Sequence, residues 1–438
     1  MKILIVTWYF PPANTIAAVR LRSMARAFLQ DGHDVRVLAA GEIPAAQTLS
    51  LDFPEDRVAY TPWRDVLSIP SSLAKKLKGG NRKERPQQAS TSAAASPQPE
   101  AQTTGPPSRL RKMLRTFVQE AVCLPDSRVG WIPYAYRQGK AMVESWHPDA
   151  IYASGPPFST NVIGYLLSRK YDIPLVTEFR DRWADDPYYP PSKLRQAVDR
   201  WMEARIVKRS TALVTVSQPW QEAYQARYGL PSLVAYNGYD PVLLSEHSPG
   251  RPGEKLVIGY TGGIYVGRRD PSPLFSAMAG LPELKEKIAV EFYGTHPQDV
   301  LPLAERAGVT EQVTCFPPVP YDEAVHKQQQ SDILLLMQWN DPREQGNVPG
   351  KFFEYLGARR PILLLGLEGG VPHRIIQERN AGFLGRTSDE IATELRRWTE
   401  EKASRHEIPE LPESASKGFA REEQFAQLSK ALRKVFES

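Results

Sequence analysis

Residues 347–366 read NVPGKFFEYLGARRPILLLG. Phe352, Phe353 and Leu356 mark the packed face of a short helix, and the apolar run after Arg360 is strand-length. A helix feeding directly into a strand that is apolar on both faces is part of a βαβ unit, the building block of a parallel sheet covered on both sides. Packing does not account for Lys351 and Glu354 at the mouth of the helix. Asn347 can cap it, Pro349 suits its first turn, and its free N–H groups with their positive dipole end attract an anion. A cation such as Lys351 is unfavourable there unless an anion compensates it. Glu354, three residues on, shares its face. Together the two can hold a diphosphate and an adjoining diol; the plainer reading is a Lys–Glu surface pair.

The same pattern repeats along the chain. Short Val/Ile/Leu-rich runs (KILIVT, DVRVLAA, RVAYTP, DAIYASG, PLVTEF, ALVTVS and SLVAYNG) alternate with helical spacing up to a polar break at SEHSPGRPGEK. They resume as KLVIGYTG, IAVEFYG, VTCFPPV, DILLLMQ and PILLLG. Continuous apolar strands alternating with helices predict an α/β chain with parallel sheets. With 438 residues, too many for one ordinary core, two sets of strands predict two doubly wound, Rossmann-like domains over 1–242 and 250–412. A last helix, within 413–438, can pack on either of them. Ligands are expected where strand C-termini face a cleft.

Between Lys78 and Ser108 there is no Val, Ile, Leu, Met, Phe, Trp or Tyr. Such a stretch cannot bury enough surface to offset its ordering entropy, so disorder is expected over 78–108. Its shoulders, KKLKGGNRKER and RLRKMLRTFVQEAV, are basic. They are either a solvated rim or a surface for anionic lipid or a lipid-linked substrate.

Composition is that of a soluble globular protein, 41% hydrophobic and 24% charged, with a net charge of +5 that favours anionic partners. The two cysteines, Cys123 and Cys315, have the look of ordinary buried thiols, and the seven histidines show no metal-ligand spacing. With no Asp-x-Asp pair either, no metal and no bound cofactor is expected. The N-terminal apolar run is too short for a signal peptide, and no run approaches a membrane span. A cytoplasmic protein is expected, with peripheral contact at the inner face of the plasma membrane left open. The basic runs lack interleaved aromatics, which argues against nucleic acid.

Four further stretches carry candidate chemistry. After the first strand, a Pro-rich loop with Pro12 and Asn14 leads to a helix bearing Arg20, a phosphate contact or a salt-bridged helix residue. Ser154 leaves a strand in SGPPFST, where Ser159 or Thr160 can cap the next helix. FRDRW delivers Arg180 and Asp181 to a strand's C-terminal end, where charged groups need a partner. In GYTGGIYVGRRDP, Gly262 and Gly263 allow close backbone approach, and Arg268 and Arg269 offer forked donors to phosphate oxygens. The spacing there is not a dinucleotide fingerprint.

Taken in order, TWYFPP…AAVR…GHDV, SGPPFST, FRDRW, YNGYD, GYTGGIYVGRRDP, PYDE and VPGKFFEYLGARRPILL resemble the GT-B glycosyltransferases of family 4, in a subgroup with an RDxW-type loop. The resemblance spans most of the chain. It implies two Rossmann-like domains facing a cleft, an N-terminal acceptor domain, a C-terminal donor domain, and a final helix crossing back to the first. It implies retaining transfer from a nucleotide diphosphate sugar to a glycan or lipid-linked acceptor, for surface polysaccharide or lipid-linked glycan synthesis, without a protein nucleophile.

Glu354 matches the second Glu of the family's Glu-x7-Glu motif, which binds the donor ribose. Lys351, Arg268 and Arg269 match diphosphate contacts, and Gly262, Gly263, Asn347 and Val348 complete the donor side. Pro12, Asn14, Arg20, Ser154, Arg180 and Asp181 fall on the acceptor side, with Asp181, Arg268 and Lys351 as the catalytic set. Three positions depart from the family pattern. Gly346 stands where the first Glu belongs, Asp181 where a His is usual, and Asn14–Ala17 where the first loop has Gly-Gly. A sugar-nucleotide epimerase on the same fold and a non-catalytic scaffold are the alternative readings.

Overall fold

The computed structural model describes residues 1–66, 120, 122–188, 191–245 and 250–437. The 78–108 stretch and nearly all of its basic shoulders lie outside the described residues. The chain divides into two compact units, Met1–Ala235 with Phe425–Ser438, and Tyr236–Gln424.

The first unit holds seven strands: β1 (Lys2–Thr7), β2 (Asp34–Ala40), β3 (Val58–Thr61), β4 (Ala150–Gly155), β5 (Leu175–Phe179), β6 (Ala212–Thr215) and β7 (Ser232–Val234). The second holds β8 (Leu256–Thr261), β9 (Ile288–Tyr293), β10 (Val313–Phe316), β11 (Ile333–Met337), β12 (Ile362–Leu365) and β13 (Gly382–Leu384). The sheet orders are β3-β2-β1-β4-β5-β6-β7 and β10-β9-β8-β11-β12-β13, with the described strand pairs parallel. In each sheet the first strand is central, and the chain winds outward to one side and then to the other. The switch points therefore fall between β1 and β4 and between β8 and β11, where such sheets hold their ligands.

Alternation along each strand explains why the strands read as unbroken apolar runs. Leu4 and Val6 face one apolar layer of the first unit while Ile3 and Ile5 face the other; Leu175 and Val176 divide in the same way. In the second unit Ile333, Leu335 and Met337 enter one layer, and Leu334 and Leu336 the other. Both faces are thus buried under helices, as parallel sheets require.

Twelve of these strands lie within the expected runs. β13, the three residues Gly382–Leu384, is too short to stand out from the sequence around it. The helix Ile16–Gln30 is capped by Thr15, whose side chain accepts from the Ala18 amide at 3.1 Å. Neither Ser159 nor Thr160 caps the helix Ser159–Tyr171; Ser159 bonds Asp126 through its amide and hydroxyl, both at 2.8 Å. The two cysteines are free and half-buried rather than fully buried, and desolvation raises both thiol pKa values. The last helix, Arg421–Glu437, sends Phe425, Leu428 and Leu432 into the layer that holds Ile3, Ile5 and Phe28.

Two ionic clusters anchor these layers. Lys402, fully buried, contacts Asp332 at 2.7 Å, and Asp332 also accepts from the Val257 amide at 2.9 Å. In the first unit the buried His33 ring lies 3.0 Å from the Ser429 hydroxyl, which donates to Asp31 at 2.5 Å. Desolvation lowers the His33 pKa below 6.5.

Lys402→Ala leaves Asp332 charged and unpaired, and is expected to lower the unfolding free energy by about 3–5 kcal/mol in urea titrations. Lys402→Met with Asp332→Asn should recover much of that loss. The unfolded chain protonates His33 near pH 6.5, and the folded chain only below it. Stability is therefore full above that value and falls as the pH drops through the window beneath it. His33→Gln is expected to flatten this acid limb of Tm against pH.

Candidate functional site

In the second unit the ends of β8 and β11 and the helix Gly350–Gly357 bring several predicted residues together. Gly262 leaves β8 at φ +103°, a backbone conformation that L side chains rarely adopt, with its carbonyl accepting from the Thr295 hydroxyl at 2.6 Å. A Cβ on Gly262 would stand 3.1 Å from the Lys351 ammonium. Lys351 lies over the Tyr260 ring at 3.9 Å and donates to the Thr261 carbonyl. A ring face and a carbonyl thus supply what an anion was expected to supply at this helix mouth. Burial lowers the Lys351 pKa, with Tyr260 opposing. Burial would raise the Tyr260 phenol, but Lys351 and Arg269 outweigh it and hold the pKa below its ordinary value. The Tyr260 hydroxyl donates to the Gly263 carbonyl at 2.9 Å.

Arg269 stacks on Tyr265 at 4.5 Å, and its buried Nε has no hydrogen-bond partner among the described residues. Arg268 lies over Trp339, just past β11, at 4.6 Å, with Arg343 over the same ring at 4.3 Å. Asn347 does not cap the helix; its side-chain amide donates to Glu344 at 2.8 Å, and its carbonyl accepts from Gln338 at 3.0 Å. Pro349 stands at the cap position, one residue before the first turn, and Val348 is buried.

Glu354, only 6% exposed, is the centre of a buried network rather than half of a surface pair. It accepts from Tyr321 at 2.9 Å and Gln328 at 3.2 Å, and Arg421 stands 3.9 Å away. Arg421 also contacts Asp240 at 3.8 Å. The YNGYD segment runs beside residues 419–421, with Gly238 in close approach to the Phe419 carbonyl. Sequence reasoning missed Tyr260, Trp339, Gln328 and Arg421. Trp339 alone had a legible signal, an aromatic directly after an apolar strand.

In the first unit Arg20 is a structural residue, buried to 1% exposure. It pairs with Glu178 at 2.5 Å, donates to the Ala235 carbonyl at 2.9 Å and lies 5.0 Å from the Phe425 ring. The phosphate-contact alternative is therefore set aside. Ser154 is fully buried and donates to Glu178, so it offers nothing to an acceptor. Burial would raise the Glu178 pKa, but the charges of Arg20 and Arg180 outweigh it and hold it low.

Arg180 donates to the Pro156 carbonyl, and its buried Nε lacks a partner among the described residues. Asp181, beside it at the end of β5, is exposed. Pro12 is exposed and Asn14 half-exposed, both tied to a neighbouring loop: the Pro12 carbonyl accepts from the Leu49 amide at 3.0 Å, and the Asn14 side chain donates to Thr48 at 2.9 Å. Among the described residues no group of three or more His, Cys, Asp or Glu is placed to hold a metal ion.

The model of the glycosyl transferase 4-like domain matches residues 17–238, just over half of the chain. The chain belongs to the glycosyl transferase 4-like family. No curated relative matches this glycosyltransferase in sequence. Among solved structures it is similar to sucrose-phosphate synthase from Thermosynechococcus elongatus, with TM-score 0.61, 13% identity, and 100% and 99% of the two chains covered. HepE of Anabaena, solved with UDP and glucose, aligns with TM-score 0.58 and 16% identity over 99% and 100%. The lipopolysaccharide outer core galactosyltransferase WaaB aligns with TM-score 0.57 and 11% identity over 99% of each. At these identities the likeness establishes the fold of the glycosyltransferase, a two-domain GT-B architecture.

Gly262→Ala places a Cβ in strained backbone and against the Lys351 ammonium. It is expected to cost about 1–3 kcal/mol of stability in thermal unfolding and to displace the ammonium from Tyr260, seen as a phenol pKa returning upward in ultraviolet titration.

Proposed function

We propose that this glycosyltransferase moves a hexosyl unit from a nucleotide diphosphate sugar to an acceptor hydroxyl with retention at the anomeric carbon. The observation that carries the reading is the cationic ring around the Gly262–Gly263 loop, where Lys351 and Arg269 flank Tyr260 and the Arg269 Nε is buried without a partner. Departure of a nucleoside diphosphate develops negative charge on its β-phosphate. Preorganised cations and the N–H groups opening the helix Gly350–Gly357 stabilise that charge without a metal.

Each Glu354 oxygen has one protein donor and can accept one further hydrogen bond, which suits the two hydroxyls of a ribose. In this reading residues 250–412 hold the donor, and residues 1–242 hold a glycan or lipid-linked acceptor. Asp181, exposed beside Arg180, orients the acceptor or the sugar. With Gly346 in place of an acid and the Asn347 amide engaged by Glu344, backbone amides meet the donor sugar. The product is a surface polysaccharide or lipid-linked glycan made on the cytoplasmic side of the plasma membrane.

A thermal-shift panel of UDP, GDP, dTDP and ADP and their sugars tests this. One nucleotide family should stabilise the wild type by roughly 2–3 kcal/mol at a hundredfold excess over Kd. Lys351→Met should abolish the shift and Glu354→Ala weaken it. No shift with any member at millimolar ligand would overturn the proposal.

A further inference from the structure

The helix Lys193–Val207 presents a face that the donor chemistry does not use. Its two largest apolar side chains on that face, Leu194 and Trp201, are 71% and 61% exposed, far above the usual exposure of such residues. With the exposed Ala197 they stand at i, i+3 and i+7, one stripe about 10 Å long.

Charge on this helix is sorted by face. Between Ser192 and Arg209 the only acids are Asp199 and Glu203, and both turn inward. Asp199, 4% exposed, accepts from Trp183 at 3.2 Å and Arg195 at 2.8 Å; Glu203, 1% exposed, accepts from Tyr228 at 2.8 Å. Lys193, Arg205 and Lys208 are exposed beside the apolar stripe. None of the three is ion-paired among the described residues. Arg205 donates to the Tyr165 hydroxyl at 3.1 Å and stacks on Trp201 at 5.4 Å.

We propose that this face docks on an anionic lipid bilayer, with Trp201 and Leu194 entering the headgroup boundary and Lys193, Arg205 and Lys208 meeting lipid phosphates. An exposed apolar stripe edged by cations without ion-pair partners, with both acids of the helix turned away and Glu120 accepting from the Ser192 hydroxyl at 2.6 Å at its N-terminal end, suits a helix face meeting a membrane interface. Trp, with an apolar body and one polar N–H, suits that boundary. A two-fold contact with a second copy fits less well, because it would bring the same cations against each other. Binding to the bilayer does not depend on donor recognition.

Flotation of the full-length protein is measured with vesicles of phosphatidylcholine alone and of equal phosphatidylcholine and phosphatidylglycerol. The wild type should float only with the anionic vesicles, and less at high salt. Leu194→Ser with Trp201→Ser should reduce partitioning roughly tenfold or more. Lys193→Gln, Arg205→Gln and Lys208→Gln should each reduce it by about fivefold. Unchanged thermal unfolding shows that these surface variants are folded.

Wild-type flotation that the variants leave intact overturns the proposal, as does loss of flotation only when the shoulders of 78–108 are neutralised. A wild type that ignores anionic vesicles but self-associates, or binds a polyanion such as heparin through these residues, overturns it as well. Nucleotide stabilisation, measured on the same variants, stays at the wild-type value, so failure here and failure of the donor reading are told apart.

Discussion

The ion pair between Arg20 and Glu178 holds the first unit in register. One buried guanidinium ties the helix Ile16–Gln30 to β5, to the backbone after β7 at Ala235, and to Phe425 of the last helix. Glu178 in turn accepts from Ser154 at the end of β4. A charge pair with both partners out of water is a weak source of net stability but a strong penalty on any arrangement that separates them. That penalty fixes how the elements around the β1–β4 switch point meet. Arg180 and Asp181 are set at the end of β5 on the frame this pair maintains.

The second unit handles its cations differently. Lys351 and Arg269 share one phenol, and their partners are a ring face, a carbonyl and a hydroxyl rather than carboxylates. Such partners hold the two side chains in place without a carboxylate bonded to either one among the described residues. The cluster therefore presents net positive potential where Gly262 leaves room for it. Glu354 lies in the opposite regime, with its charge spread over Tyr321, Gln328 and the nearby Arg421.

Much of the architecture was legible because parallel strands buried on both faces are apolar at nearly every position, as in ILLLM of β11 and the LVI that opens β8. β13 escaped because three residues carry no period. The site was legible by segment more than by side chain. The Gly262–Arg269 loop and the Lys351 helix do come together at the ends of β8 and β11. Arg20, however, could be read as a phosphate ligand only while Glu178, 158 positions away, was not known to face it. Asn347 was misplaced for a similar reason, since its amide is taken by Glu344 three residues earlier. A partner 158 positions away leaves no mark in local sequence, and a nearby acid does not show which of its neighbours it will take.

The division of the chain sets an order on its folding. Tyr236–Gln424 is one uninterrupted stretch, whereas the first unit closes only with Phe425–Ser438. As the chain leaves the ribosome, β1 to β7 emerge before the second unit, yet the layer built on Ile3, Ile5 and Phe28 lacks Phe425, Leu428 and Leu432 until that second unit has been made. The half made first is the half completed last. Arg20 waits for its aromatic cover through the same interval, so the nascent first unit spends the translation of the second with an open apolar face that chaperones can hold.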